Sequence, residues 1–280
     1  CKKELKLIVK SPFHAYKLRK GGYYIMRFFI LTKQKLAIIT FCALAIVITA
    51  GISIRGIAAV TASASASKKI PIYYVQKEEK LVSLSFDAAW GNEQTQELLD
   101  ILDKYNIKTT FFLVGSWVDK YPESVKAIYD AGHDVSNHSD THPHMSKMPK
   151  EKIRAEIENC NNKIEALIGV KPNLFRPPYG DYNNTVVETV NELNMYCMQW
   201  NIDSLDWKDP SPEQIKKNIM SKIKPGSIIL MHNGAKNTPA ALPMVIEAIT
   251  GEGYNIVPIS QIIYQCPYTT DHEGKQCPNS

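Results

Sequence analysis

The chain has 280 residues, 44% of them hydrophobic and 22% charged, enough to bury one sizeable globular core. Its formal net charge is +5, but residues 1–67 alone carry +10 and residues 68–280 carry −5. The part expected to fold therefore offers no polybasic face for phosphates, which excludes nucleic acid as a partner.

The first methionine is Met26, and Lys20-Gly21-Gly22 just before it can be encoded by the purine-rich stretch that bacterial ribosomes recognise. Residues 1–25 are therefore expected to lie upstream of the translated chain. Residues 36–54 form 19 positions without a charge, preceded by Arg27, Lys33 and Lys35 and followed by Arg55. That pattern predicts a membrane-targeting helix with its basic flank on the cytoplasmic side. Small residues at 62–66 suit a signal peptidase, so 26–67 reads as a signal peptide or a membrane anchor, with 68–79 as a linker. Residues 68–280 are expected to be extracytoplasmic.

From Lys80 onward short apolar runs alternate with amphipathic stretches. Strands are predicted over 81–86, 109–114, 134–137, 173–176, 196–200, 227–232 and 255–258. Helices are predicted over 94–105, 122–131, 150–167, 185–193, 212–223 and 239–250. The alternation predicts an α/β domain over 80–264 with parallel strands. Asp87, His138, Arg176, Asp203 and His232 fall at or just past the carboxyl ends of predicted strands, which favours a (β/α) barrel over an open sheet. No glycine-rich phosphate fingerprint follows the first strand. Residues 265–280 read as a polar tail in which Cys266 and Cys277 are spaced to allow a disulfide loop.

Asn137-His138-Ser-Asp-Thr-His142 sets two imidazoles four residues apart, on one face if the segment is a helical turn, and neutral imidazole is a good ligand for a divalent metal. Surface or capping histidines would give the same pattern, and His144 nearby leaves the ligand set open. Asp87 follows an apolar strand directly, a costly place for a carboxylate unless it is paired or functional; a helix cap is the plainer reading. Phe175-Arg176-Pro-Pro-Tyr179-Gly180 supplies a guanidinium able to pair with Asp87 and a rigid turn. Trp200-Asn-Ile-Asp203-Ser-Leu-Asp206-Trp207 brings acids beside indoles, and the strand 227–232 ends on His232. Each segment alone has a structural explanation; five in series do not.

Together these segments resemble the polysaccharide deacetylase family, also known as carbohydrate esterase family 4 (CE4), over residues 80–264. The resemblance implies a distorted (β/α) barrel of seven or eight parallel strands and hydrolysis of N-acetyl groups on a polysaccharide, peptidoglycan first and chitin-like oligomers second. By likeness, Asp87 is the general base, Arg176 orients it, His138 and His142 bind a divalent metal such as zinc or cobalt, and Tyr179 lends its backbone N–H to the oxyanion. Asp206 tunes His232, the general acid, while Trp207 and Leu230 line the substrate site. One position departs from the pattern: Ala88 stands where the family usually has a second Asp as metal ligand. The run from Phe86 to Gly91 is similar to a variant in sporulation-associated members. Two rivals remain: a glycan-binding protein that lost turnover with the missing acid, and a glycosidase, which needs two carboxylates flanking the bond.

Overall fold

The structure, a computed structural model, describes residues 13–17, 23–27, 34, 68–265 and 267–279. It divides into two units, residues 1–67 and 68–280. In the first, β1 (Phe13–Lys17) pairs antiparallel with β2 (Tyr23–Arg27). The predicted membrane-targeting run 36–54 lies outside the described residues, among which no helix is long and apolar enough to cross a membrane.

The second unit is built on a curled parallel sheet. Its strands are β4 (Leu81–Ala88), β5 (Thr110–Leu113), β6 (Asp134–Asn137), β7 (Leu174–Phe175), β8 (Tyr196–Cys197), β9 (Ile202–Asp203) and β10 (Ile228–His232). They lie in the order β8-β7-β6-β5-β4-β10-β9, and β11 (Asn255–Ile256) joins the start of β4. This is the α/β architecture expected, with the sheet curled into a half-barrel. β4 is buried from Val82 to Ala88; Val82, Leu84, Phe86 and Ala88 enter the apolar cluster on one face, and Ser83, Ser85 and Asp87 alternate with them on the other.

Helices cover the sheet where the amphipathic stretches predicted them. Helix Thr95–Lys104 buries Leu98, Leu99 and Leu102. Helix Asn184–Glu192 is capped by the Asn183 side chain, which accepts the Val186 N–H at 3.0 Å, and Ser211 does the same for helix Pro212–Met220. Such caps satisfy donors that a helix start leaves unpaired. Helix Lys150–Ile168 stops at Gly169, whose φ of 72° suits a residue without Cβ.

The stretch expected to be a linker and the polar tail are both part of this unit. β3 (Tyr74–Val75) runs parallel to β13 (Lys275–Pro278), which pairs antiparallel with β12 (Tyr268–Thr270). The fully buried Gln276 side chain binds the backbone of Tyr264 twice, N–H to Oε1 and Nε2 to O, both at 2.9 Å. Ile72 bridges Met198 beyond β8, and Tyr74 bridges Ser227 before β10. Residues 72–75 thus tie both limbs of the curled sheet together. The pairing expected of Cys266 and Cys277 involves Cys266, which is outside the described residues.

Candidate active site

The carboxyl ends of β4, β6, β7, β9 and β10 converge on a cavity of about 410 Å³. Asp87, His138, His142, Tyr179, Trp207, Leu230 and His232 line it, together with Ala89, Trp90, Trp200 and Asp203. All seven of those first residues were expected at the site. Arg176 and Asp206 lie behind the wall, fully buried, and reach the cavity through Asp87 and His232.

Register sets the two halves side by side on adjacent strands: His232 of β10 pairs with Asp87 of β4. Asp87 Oδ1 accepts from Arg176 Nη1 at 2.6 Å, and Arg176 Nη2 donates to Ser85 Oγ at 2.8 Å and to the Gln199 carbonyl at 3.3 Å. The guanidinium also lies 4.0 Å from the centroid of Phe112. Burial opposes ionisation of Asp87, but the charge and hydrogen bond of Arg176, with the charge of His232, outweigh it and hold the carboxyl below its ordinary value. A buried arginine held this firmly is a fixed counter-charge, and it leaves Asp87 ionised and oriented.

Behind His232, Asp206 gathers three hydrogen bonds of 2.7 Å: His232 Nδ1 on Oδ1, and the His232 backbone N–H and Thr238 Oγ1 on Oδ2. Burial pushes the His232 imidazole toward neutrality, but the hydrogen bond and charge of Asp206 prevail and raise its pKa. With Nδ1–H committed to Asp206, Nε2 is the nitrogen that can exchange a proton with a ligand.

The segment carrying the two metal-type histidines is a loop, not the helical turn their spacing suggested. Ser139 and His142 take φ of 67° and 60°. Side chains fix this left-handed path: Asn137 Oδ1 accepts the Ser139 N–H at 2.7 Å, and Ser139 Oγ accepts the His142 N–H at 3.0 Å. Glu156 Oε2 takes the N–H groups of Asp140 and Thr141. The rings of His138 and His142 nevertheless come within 5.0 Å, centroid to centroid. His138 Nδ1 lies 2.7 Å from the Arg176 carbonyl, so it carries the proton, and Nε2 turns a lone pair to Asp87 Oδ2 at 3.4 Å. Burial lowers the pKa of both rings, that of His142 to about 4, which keeps them neutral.

Tyr179 stands in the Pro178–Gly180 turn with φ of 59°, its ring 4.5 Å from that of His142 and 4.4 Å from that of His144. A bulky residue is rarely held in this region, and such strain clusters at functional sites.

A polysaccharide deacetylase family model matches residues 74–198. A peptidoglycan-N-acetylglucosamine deacetylase of Bacillus cereus is 31% identical over 194 residues, 68% of this chain and 91% of the relative. The chain belongs to the polysaccharide deacetylase family. Longer relatives match as well: a peptidoglycan-N-acetylmuramic acid deacetylase of Bacillus subtilis is 32% identical over 67% of this chain and 40% of its own length. An uncharacterized protein of the same organism is 36% identical over 69% of this chain and 60% of its own length. The chain thus spans about half the length of these two curated relatives. Among solved structures, a CE4 family pseudoenzyme from Bacillus anthracis aligns with a TM-score of 0.67 and 38% identity, over 69% of this chain and 68% of that one. A mutant of that pseudoenzyme with restored enzymatic activity aligns equally well.

Polysaccharide deacetylases are generally metal-dependent, and the donors of this chain fall short of that chemistry. Among the described residues no cluster of three or more His, Cys, Asp or Glu is placed to hold a metal ion. Ala88 is fully buried in the apolar cluster that includes Leu113, Val114 and Trp117. Two neighbouring donors, Asp140 and His144, are engaged elsewhere. Asp140 accepts from Lys163 at 2.6 Å, and His144 is stacked on Tyr179 with Nδ1 3.7 Å from Asp181. Two imidazoles remain, one fewer than the three protein ligands of an open catalytic site.

Proposed function

We propose that this chain is an extracytoplasmic hydrolase that removes N-acetyl groups from amino sugars of a cell-wall polysaccharide, peptidoglycan first and chitin-like oligomers second. The observation that carries the reading is the pair at the mouth of one cavity: an ionised, arginine-held Asp87 beside a protonated, aspartate-held His232. A binding module has no use for a base beside an acid; amide hydrolysis needs both.

In this mechanism Asp87 takes a proton from water as the water oxygen bonds to the acetamide carbon. The backbone N–H of Tyr179 donates to the resulting oxyanion, at a turn already strained into position. His232 Nε2 then gives its proton to the sugar nitrogen, the C–N bond breaks, and acetate and a free amine leave. Asp206 holds the imidazole in the one orientation from which Nε2 can act. Trp207, half exposed, and Leu230 wall the sugar side. Zinc or cobalt, the ions expected at His138 and His142, would meet only two imidazoles, and no step is assigned to an ion.

The missing third donor and the likeness to a pseudoenzyme favour a second reading, a glycan-binding protein with impaired turnover on the same fold. The two separate on acetate release from N-acetylated peptidoglycan and chitooligosaccharides, with chelator and with added zinc or cobalt. Release under any of these conditions supports the hydrolase; glycan binding without release under all of them supports the second reading. Reducing ends without acetate would point instead to a glycosidase. Anchoring through residues 36–54 belongs to the same proposal and is tested by whether the native protein stays with the membrane fraction.

A further inference from the structure

Trp90 was not expected at the site, yet it is the residue around which the end of β4 is arranged. Its side chain is 47% exposed, an unusual place for one of the largest apolar surfaces a side chain can offer. The indole is nevertheless fixed. One face lies on the His232 imidazole, with centroids 5.5 Å apart and planes at 28°. The next residue, Gly91, has φ of 58°, and its carbonyl accepts from Trp117 Nε1 at 2.6 Å. Gly234 passes so close that a Cβ there would stand 2.6 Å from the Trp90 carbonyl oxygen and 2.7 Å from its Nε1. The end of β10, through His232 and Gly234, thus clamps an indole whose surface lines the same cavity as Asp87 and His232, and Trp117 fixes the backbone beside it.

Its chemistry matches one face of a sugar. A pyranose ring gathers C–H groups on one side and keeps its hydroxyls at the rim, and an aromatic plane attracts such polarised hydrogens through its quadrupole. We infer that Trp90 is a positioning residue, the stacking platform for the pyranose ring whose acetamide reaches past the indole edge to Asp87 and His232. The inference rests on the deacetylase reading and adds to it a sugar subsite on the segment in which Ala88 replaces the usual acid. Because the indole is already braced against His232, a sugar seated on it is placed relative to the general acid without further ordering of either group.

The test uses the full chain in an Asp87→Asn background, titrated calorimetrically with the tetramer of N-acetylglucosamine. Trp90→Leu keeps bulk and removes the aromatic plane; Trp90→Phe restores a plane. The expected result is about tenfold weaker binding for Trp90→Leu and recovery to within about threefold for Trp90→Phe. With Asp87 present, Trp90→Leu should raise KM for the tetramer by a similar factor with a smaller change in kcat, and Trp90→Phe should restore KM, a split that general loosening of the site would not produce. Binding by Trp90→Leu equal to that of its parent, with acetate release intact, overturns the platform alone. A parent that binds no tetramer, together with an unmodified chain that releases no acetate, overturns both the platform and the deacetylase reading.

Discussion

Replacing Asp206 by Asn isolates the contribution of the acid-side carboxylate. The native carboxylate accepts three hydrogen bonds of 2.7 Å, two on Oδ2 and one on Oδ1. An amide has one acceptor oxygen. If that oxygen keeps the His232 backbone N–H and Thr238 Oγ1, the amide NH₂ faces His232 Nδ1, donor against donor, and the imidazole can no longer hold both protons. The loss is that of one charge-assisted hydrogen bond, about 1.5–3 kcal/mol, which corresponds to a fall in kcat on the order of 10- to 100-fold. The direction in pH is set by the same contact. Asp206 raises the His232 pKa, so the native acid stays protonated to above pH 6.5 and the variant should lose it earlier, moving the alkaline limb of the rate profile to lower pH. The same pair stabilises the native fold below pH 6.5, and that contribution is lost as pH rises through the raised pKa. Acetate release measured from pH 5 to 9, with melting temperature as the control for folding, checks both. A variant within about threefold of the parent with an unmoved alkaline limb would refute the assignment of His232 as the acid held by Asp206.

Ala88→Asp should make the chain less stable in chelator, because the side chain enters a fully buried apolar cluster where an unpaired carboxylate costs several kcal/mol. Zinc should restore the melting temperature by completing a third donor beside His138 and His142; a melting temperature indifferent to zinc would show that position 88 does not reach them. Arg176→Met should cost about 3–5 kcal/mol in denaturant unfolding by stranding Asp87 in the interior, and adding Asp87→Asn should recover part of it; a strictly additive pair would contradict the coupling. His133 is buried, its Nδ1 accepts the Thr109 N–H at 3.1 Å, and burial lowers its pKa to about 4. Its contribution to stability is present above pH 6.5 and lost as pH falls toward 4, by at most about 3 kcal/mol. His133→Gln should flatten that slope, and an unchanged slope would refute the assignment.

How much of this is legible in the sequence depends on the range of the signal. Helices such as Lys150–Ile168 and Pro212–Met220 announce themselves through periodicity, caps and breakers. Helix Gly115–Lys120 and strand β9 are six and two residues long, too short for any period to register. β3 and β13 meet across some two hundred positions through Gln276, a residue with no local strand signal. The site residues are readable because each closes an apolar strand or sits in a motif. The loop from His138 to His142 imitates a helical turn in sequence because its left-handed residues are Ser139 and His142, with no glycine to mark the bend. Trp90 carries no such signal, because an indole in sequence does not reveal which of its faces will be free.

The most direct test of the central claim is the parallel measurement of acetate and new free amine from N-acetylated peptidoglycan, with the unmodified chain and with Asp87→Asn. The account predicts equal amounts of the two products from the first and none from the second. A folded chain that binds the glycan yet yields neither product, with or without added zinc or cobalt, would contradict it.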